Sequence, residues 1–130
     1  LAISLMEKGI LVFIGAKSDY DYCNSIMKGK GILNLCGKLT LLQSALIMKK
    51  SKRVFTNDSA PLHLASSVNA SITSIFCSTI PEFGYAPLSD DSEILQVSLK
   101  CRPCGIHGAS SCPKKHFRCS ELIRTKKKYF

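Results

Sequence analysis

An α/β fold, a Rossmann-like parallel sheet with helices on both faces, is what this sequence predicts, and three observations predict it. Short apolar runs recur at Ile10-Leu11-Val12-Phe13-Ile14, Ile32-Leu33-Asn34-Leu35, Arg53-Val54-Phe55-Thr56 and Ser71-Ile72-Thr73-Ser74-Ile75-Phe76. They are rich in β-branched and aromatic residues, and the first is a continuous apolar run of the kind found in strands buried on both faces. Between the runs lie segments with apolar residues at helical spacing. Strands alternating with helices in this way build right-handed βαβ units and a parallel sheet.

The elements follow in order. Leu1-Ala2-Ile3-Ser4-Leu5-Met6-Glu7-Lys8-Gly9 reads as the end of a helix. It has no basic leader, so it is not a signal peptide. It also lacks an initiator Met, so the chain is expected to be the tail of something longer. The Ile10–Ile14 strand ends at Gly15, and Ala16-Lys17-Ser18-Asp19 leads into a helix carrying Tyr22, Ile26 and Met27 up to Gly29-Lys30-Gly31. The second strand closes at Cys36-Gly37. From Thr40 to Lys49, Leu42, Ala45, Leu46 and Met48 mark a second helix, with basic residues in its last turn beside the negative end of its dipole. The third strand runs straight into Thr56-Asn57-Asp58-Ser59-Ala60-Pro61-Leu62-His63-Leu64-Ala65. After the fourth strand, residues 77–93 read as a loop, Ile94–Leu99 as a final strand and Ser120–Arg124 as a short helix.

At 130 residues the chain fits one domain with a real core. No run of about 18 apolar residues is present, so no helical membrane span is predicted. The net charge of +9 is uneven: residues 91–130 hold nine Lys and Arg against Asp91, Glu93 and Glu121. That balance suits a phosphate-bearing partner, an anionic membrane face or nucleic acid, or is simply a solvated basic tail at Lys126-Lys127-Lys128. Seven cysteines is an odd count, and without an export signal they read as cytosolic thiols or metal ligands before disulfides.

The stretch after the third strand is the candidate site. Asn57-Asp58-Ser59 are helix N-cap residues, and Pro61 suits a first helical turn. A strand turning abruptly into a helix presents unpaired N–H groups and the positive end of the dipole, a ready anion site. Asp58 and His63 can add specificity there; equally, Asp58 can be a plain cap and His63 a packing residue. In a parallel sheet, ligands bind beyond the carboxyl ends of the strands, so Gly15–Asp19 and Thr56–His63 are expected to line one cleft. Asp19 is placed to accept from a ribose, or to cap the turn after Ser18. Gly-x-Gly-x-x-Gly, the Gly-Lys-Ser/Thr phosphate loop, Gly-x-Ser-x-Gly and His-Glu-x-x-His are all absent, which removes the common nucleotide-cofactor and hydrolase readings.

A second constellation is Cys101-Arg102-Pro103-Cys104-Gly105-Ile106-His107, followed by Cys112-Pro113 and His116-Phe117-Arg118-Cys119. Cys-x-x-Cys sets two thiolates on one tight turn, and Cys112, Cys119 or His116 could complete a structural zinc site. A redox pair and unligated thiols are the other readings of this spacing.

Taken together, these residues resemble a known family. Asp58-Ser59-Ala60-Pro61-Leu62-His63 is similar to the Asp-Ser/Thr-Gly/Ala-x-x-His motif of the lipopolysaccharide heptosyltransferases, glycosyltransferases that use ADP-heptose. Asn34-Leu35-Cys36-Gly37-Lys38-Leu39-Thr40-Leu41 resembles that family's Asn-Leu-x-Gly-x-Thr/Ser-x-Leu segment, and Gly15-Ala16-Lys17-Ser18-Asp19 its Gly-x-x-x-Asp/Glu turn. Pro103-Cys104, Cys112-Pro113, His116 and Cys119 resemble a Cys-rich ending found in many members.

The resemblance implies the C-terminal, nucleotide-sugar-binding half of a GT-B enzyme. Residues 1–100 would form the Rossmann-like domain, and residues 101–130 a Cys/His-rich basic segment packed on it or extending from it. It implies inverting transfer of heptose from ADP-heptose to the lipopolysaccharide core or lipid A, in the cytoplasm at the inner-membrane surface. No cofactor is required. Ser59 and Ala60 would hold the diphosphate through their backbone, Asp58 would contact the sugar, His63 would support the phosphates, and Asp19, beside Gly15, would take the ribose. Ala60 stands where Gly is commoner, which narrows the backbone's approach to the donor. The family's catalytic base, an early Asp of its N-terminal domain, and its Lys-bearing strand have no counterpart in these residues. The competing reading is a stand-alone zinc- or nucleic-acid-binding module built on the Cys/His segment. Few aromatics interleave its basic residues, and nucleic acid is not the expected partner.

Overall fold

The computed structural model describes residues 9–26 and 31–123. The helix end expected before Gly9, the Met27 end of the first helix, and Arg124 with the Lys126–Lys128 run lie outside the described residues. The fold is α/β with parallel strands throughout. In order, the elements are β1 (Leu11–Phe13), a 3-10 turn (Lys17–Asp19), α1 (Tyr20–Ile26), β2 (Ile32–Asn34), α2 (Leu41–Lys50) and β3 (Val54–Asn57). Then come α3 (Ala60–Ser67), β4 (Ile72–Ile75), a second 3-10 turn (Pro81–Phe83), β5 (Ser92–Leu95) and α4 (Arg118–Glu121). The chain divides into two compact units, with the break between Ser44 and Ala45.

In the first unit β1 and β2 pair in parallel, Leu11 opposite Ile32 and Phe13 opposite Asn34. All three residues of β1 are half-buried, not buried on both faces as expected, because the ladder is two strands wide. Asn34 explains how this unit is tied together. Its amide nitrogen donates to the Tyr20 carbonyl and to Asn24 Oδ1, both at 2.9 Å, and its Oδ1 accepts from the Cys36 N–H at 3.2 Å. One side chain therefore joins β2 to α1 and shapes the turn after the strand.

In the second unit β3, β4 and β5 form a three-stranded parallel sheet in that order. Central β4 has Ile72, Thr73 and Ser74 fully buried. Its polar members are matched: Ser74 Oγ donates to the Glu93 carbonyl and Thr73 Oγ1 accepts from Arg53. Ile72 and Phe76 meet Leu62 and Ala65 of α3, Met48 of α2 and Ala70, with Tyr85 and Ile94 packed against that core. At the start of the sheet Arg53 pairs with Asp91 at 2.7 Å.

The later element boundaries differ from the sequence reading, the last helix α4 lying at Arg118–Glu121 instead of Ser120–Arg124. β5 occupies Ser92–Leu95 instead of Ile94–Leu99, since Leu95 is the last partner of four-residue β4 and Arg102 takes the Val97 carbonyl. The β4-to-β5 crossover is a loop, as read, with a 3-10 turn at Pro81–Phe83. On α2 the buried stripe is Ser44, Ala45 and Met48, while Leu42 and Leu46 stay exposed. Helix α2 starts as Thr40 suggested: Gln43 N–H donates to Thr40 Oγ1 and Thr40 N–H to Gln43 Oε1, a reciprocal capping box.

Leu62 is fully buried, so Leu62→Ala is expected to destabilise the chain by about 2–5 kcal/mol in urea unfolding. Thr40→Ala, which removes only a cap, is expected to cost about 1 kcal/mol in the same measurement.

Candidate functional site

The turn from β3 into α3 is built as the sequence implied, with one difference that matters. Ser59 is the N-cap residue of α3, in an extended conformation, yet no side chain caps the helix. Its hydroxyl points back to the Asn57 carbonyl at 3.4 Å. Pro61 has no N–H, and the Leu62 N–H is spent on the Ser59 carbonyl at 2.9 Å. The helix thus begins on backbone N–H groups and a dipole without a capping oxygen, the condition that favours an anion there.

Asp58 is not the cap. Its Oδ2 accepts a 2.5 Å hydrogen bond from the hydroxyl of Thr79, a buried residue in the loop after β4. Its N–H reaches the Ile75 carbonyl at 3.3 Å, continuing the β3–β4 ladder. Ser59, Ala60 and His63 are exposed, His63 one turn into the helix. A plain packing role for His63 is therefore not what the structure shows. Thr79 was not legible as a site residue, because its partner lies 21 positions away and no local motif marks it.

In the first unit the Gly15–Asp19 turn is compact and interlocked with the Asn34–Gly37 turn. Asp19 Oδ2 accepts from the Ala16 N–H at 2.8 Å, so its carboxylate does close the 3-10 turn. Asp19 is also exposed, which leaves the carboxylate accessible to a ligand. The Gly37 N–H donates to the Gly15 carbonyl at 2.9 Å. A Cβ on Gly15 would lie 2.7 Å from Asp19 Oδ2 and 3.2 Å from Cys36 Sγ. Gly37 has φ +70°, and a Cβ there would sit 2.6 Å from the Lys17 Cα. Gly37 is dictated by this close approach of two loops, whereas a methyl on Gly15 would chiefly meet the Asp19 carboxylate of its own turn.

The thiols sort into different environments. Cys36 is buried with its Sγ 3.7 Å from Cys23 Sγ, and burial together with that neighbour pushes its pKa up to about 11. Cys112 is the reverse case, its thiol held below the ordinary value by the Phe117 N–H, which donates to the sulfur at 3.4 Å. Cys119 is buried and burial raises it. Of the metal set expected at Cys101, Cys104, Cys112 and Cys119, with His116 as alternative, the structure brings together Cys101 Sγ and His116 Nε2 at 3.9 Å. Cys104 Sγ turns to the Cys101 carbonyl at 3.5 Å. Among the described residues no three His, Cys, Asp or Glu side chains are grouped so as to hold a metal ion, so this arrangement does not fit a tetrahedral zinc set.

A cavity of about 500 Å³ opens beside the segments that follow β4 and β5, lined by Ile80, Glu82, Gln96, Val97 and Arg102 among others. None of Asp58, Ser59, Ala60 and His63 lines it. Among the described residues no helix is long and apolar enough to cross a membrane.

Known proteins resemble this chain in sequence and fold. The sequence profile of glycosyltransferase family 9 (heptosyltransferase) matches residues 1–115. Lipooligosaccharide heptosyltransferase 2 of Campylobacter jejuni is 28% identical over 123 residues, covering 91% of this chain and 38% of the relative. Lipopolysaccharide heptosyltransferase 2 of Escherichia coli K12 is 26% identical over 104 residues, covering 75% and 30%. The solved structure of E. coli ADP-heptose lipopolysaccharide heptosyltransferase II superposes with a TM-score of 0.69 at 21% identity, over 93% of this chain and 38% of that one. A glycosyl transferase family 9 crystal structure from Veillonella parvula gives a TM-score of 0.64 at 25% identity, over 76% and 31%. The chain therefore spans about a third of the length of these relatives, between 30% and 38%.

Two outcomes follow. Gly15→Ala meets two side chains that can give way, the tip of Asp19 and Cys36 Sγ, so thermal unfolding should shift little, whereas Gly37→Ala meets backbone at positive φ and should lower stability by about 1–3 kcal/mol. Iodoacetamide mapping of the native chain by mass spectrometry should modify Cys112 first and Cys36 last. At a pKa of about 11, Cys36 is roughly one part in ten thousand thiolate at pH 7. Each pH unit up to about 10 raises that fraction tenfold, while the already lowered Cys112 saturates sooner, so the gap should narrow toward pH 9.

Proposed function

The chain belongs to glycosyltransferase family 9, the heptosyltransferases, and on that premise we propose that these residues are the donor-binding part of an enzyme transferring heptose from ADP-heptose to the lipopolysaccharide inner core. The observation that carries the reading is the uncapped N-terminus of α3 directly after Asp58, inside the family-matched span. The backbone N–H groups of Ser59 and Ala60 hold the diphosphate, and His63 supports it from one turn along the helix. Asp58 accepts from a sugar hydroxyl. In the first unit, Asp19 at the Gly15 turn accepts from the ribose.

In an inverting transfer the acceptor hydroxyl attacks the anomeric carbon opposite the diphosphate. The new glycosidic C–O bond forms as the bond to the β-phosphate oxygen breaks, and ADP leaves with that electron pair. Charge grows on the departing diphosphate, where fixed N–H donors and a helix dipole stabilise it. A general base must lie within hydrogen-bond reach of the attacking hydroxyl. In this reading that base comes from a part of the relatives beyond the matched span. The acceptor, lipopolysaccharide core or lipid A, and the basic residues of 91–130 suit work at an anionic membrane face, in the cytoplasm beside the inner membrane.

A polypeptide of these 130 residues is expected to bind ADP with a Kd of roughly 0.1–1 mM, read by two-dimensional NMR with shifts at Asp58–His63 and Gly15–Asp19. It is expected to transfer no sugar. Salt-dependent DNA binding with no ADP-induced shifts would overturn the donor-binding reading.

A further inference from the structure

We propose that Thr79 and Arg102 are positioning residues for the donor site, acting on the sugar-contacting Asp58 by fixing its carboxylate, and that the Cys/His-rich segment serves the site through them. This rests on the donor-binding reading above. The chain of contacts is continuous within the second unit. Arg102 Nη2 donates to the Thr79 carbonyl at 2.6 Å, to the Phe76 carbonyl at 3.1 Å and to Gln96 Oε1 at 3.3 Å. Its Nη1 donates to the Val97 carbonyl. One planar guanidinium therefore gathers the exits of β4 and β5. Two residues along, the Cys104 N–H donates to the Ser78 carbonyl at 2.8 Å, adding a second clamp on the same loop.

The loop held this way delivers the hydroxyl of the buried Thr79 to Asp58 Oδ2 at 2.5 Å, in a half-buried bond. A carboxylate on a solvent-facing turn samples several rotamers, and ordering it upon ligand binding costs conformational freedom. With Oδ2 committed to Thr79, Asp58 is already oriented and Oδ1 is the oxygen offered to a sugar hydroxyl. The hydroxyl needed for this is specific: Ser supplies it, Val does not. Arg102 is equally specific, since Lys lacks the planar fork that reaches several carbonyls at once.

The test compares Thr79→Val, Thr79→Ser and Arg102→Lys with the wild-type chain, using ADP and ADP-heptose by isothermal titration. Asp58 meets the sugar, so its orientation shows in the ratio of the two affinities. Thr79→Val is expected to weaken ADP-heptose about tenfold, the size of one hydrogen bond to a charged group, with ADP changed less than about twofold. Thr79→Ser is expected to restore the wild-type ratio, and Arg102→Lys to fall between. Adding Thr79→Val to Asp58→Asn should cost little more than Asp58→Asn alone. Equal losses for ADP and ADP-heptose, or no loss for ADP-heptose in Thr79→Val, would overturn the proposal.

A ligand-free measurement separates it from the reading it rests on. Three-bond N–Cγ and C′–Cγ couplings report the χ1 rotamer of Asp58. They should indicate one rotamer in the wild type and Thr79→Ser, and averaging in Thr79→Val and Arg102→Lys. A single unchanged rotamer in all four would overturn the positioning role. Failure of the wild type to bind either nucleotide would instead overturn the donor-binding function, with the couplings still deciding what fixes Asp58.

Discussion

Parallel pairing of β3 with β4 is the constraint on which the candidate site depends. The register sets Asn57 opposite Ile75, so both chains leave the sheet at the same edge and at the same level. The next residue on one side is Asp58, and the next on the other is Phe76. An antiparallel neighbour would have carried its loop to the far end. Because the strands run together, the 76–79 loop is within one side chain of the β3–α3 turn, and the 2.5 Å bond between Thr79 and Asp58 becomes possible. The rest follows from what must stay in place for that edge to be stable. Ile72, Leu62, Ala65 and Phe76 pack the helix onto the strands, and Arg53 with Asp91 closes the opposite edge.

What could be read from the sequence, and what could not, divides along the range of the interactions involved. The β3–α3 turn was legible because its signals are local: a strand run, cap residues, and Pro61 within a few positions. Gly15 and Gly37 were visible as turns, but not as partners. The two loops meet so closely that a methyl on Gly37 would overlap the Lys17 backbone, and a linear pattern does not record that. Asn34 was noticed as part of a motif and has a structural task, joining β2 to α1 through both ends of its amide. The apolar pattern on α2 gave the helix without resolving its buried face. Leu42 and Leu46 fit helical spacing as well as Ala45 and Met48 do, and only packing distinguishes them.

Asp19 illustrates how a bland role and a functional one coincide. Its carboxylate closes the 3-10 turn by accepting from Ala16, which is the modest role a turn residue normally has. That same bond uses one oxygen and holds the group at the surface in a fixed direction. Asp58 is held by the same logic with a different donor, a side-chain hydroxyl from a distant loop in place of a local backbone N–H. In both cases an acidic side chain is oriented before any ligand arrives, and an oriented acceptor loses less entropy on binding.

The Cys/His-rich segment changes its meaning in the folded chain. Read alone, Cys101 and Cys104 suggest an autonomous module that a metal would fold. An autonomous module satisfies its own polar groups. Here the polar groups between the two thiols are spent elsewhere: the Arg102 guanidinium on the carbonyls of Phe76, Thr79 and Val97, and the Cys104 N–H on Ser78. Covalent continuity with β5 alone does not account for a cation whose donors converge on the exits of two strands. Those contacts make sense if the segment is a brace, set against the loop that presents Thr79. The brace itself is the Arg102 guanidinium with the Cys104 N–H, set by their own hydrogen bonds against the exits of β4 and β5.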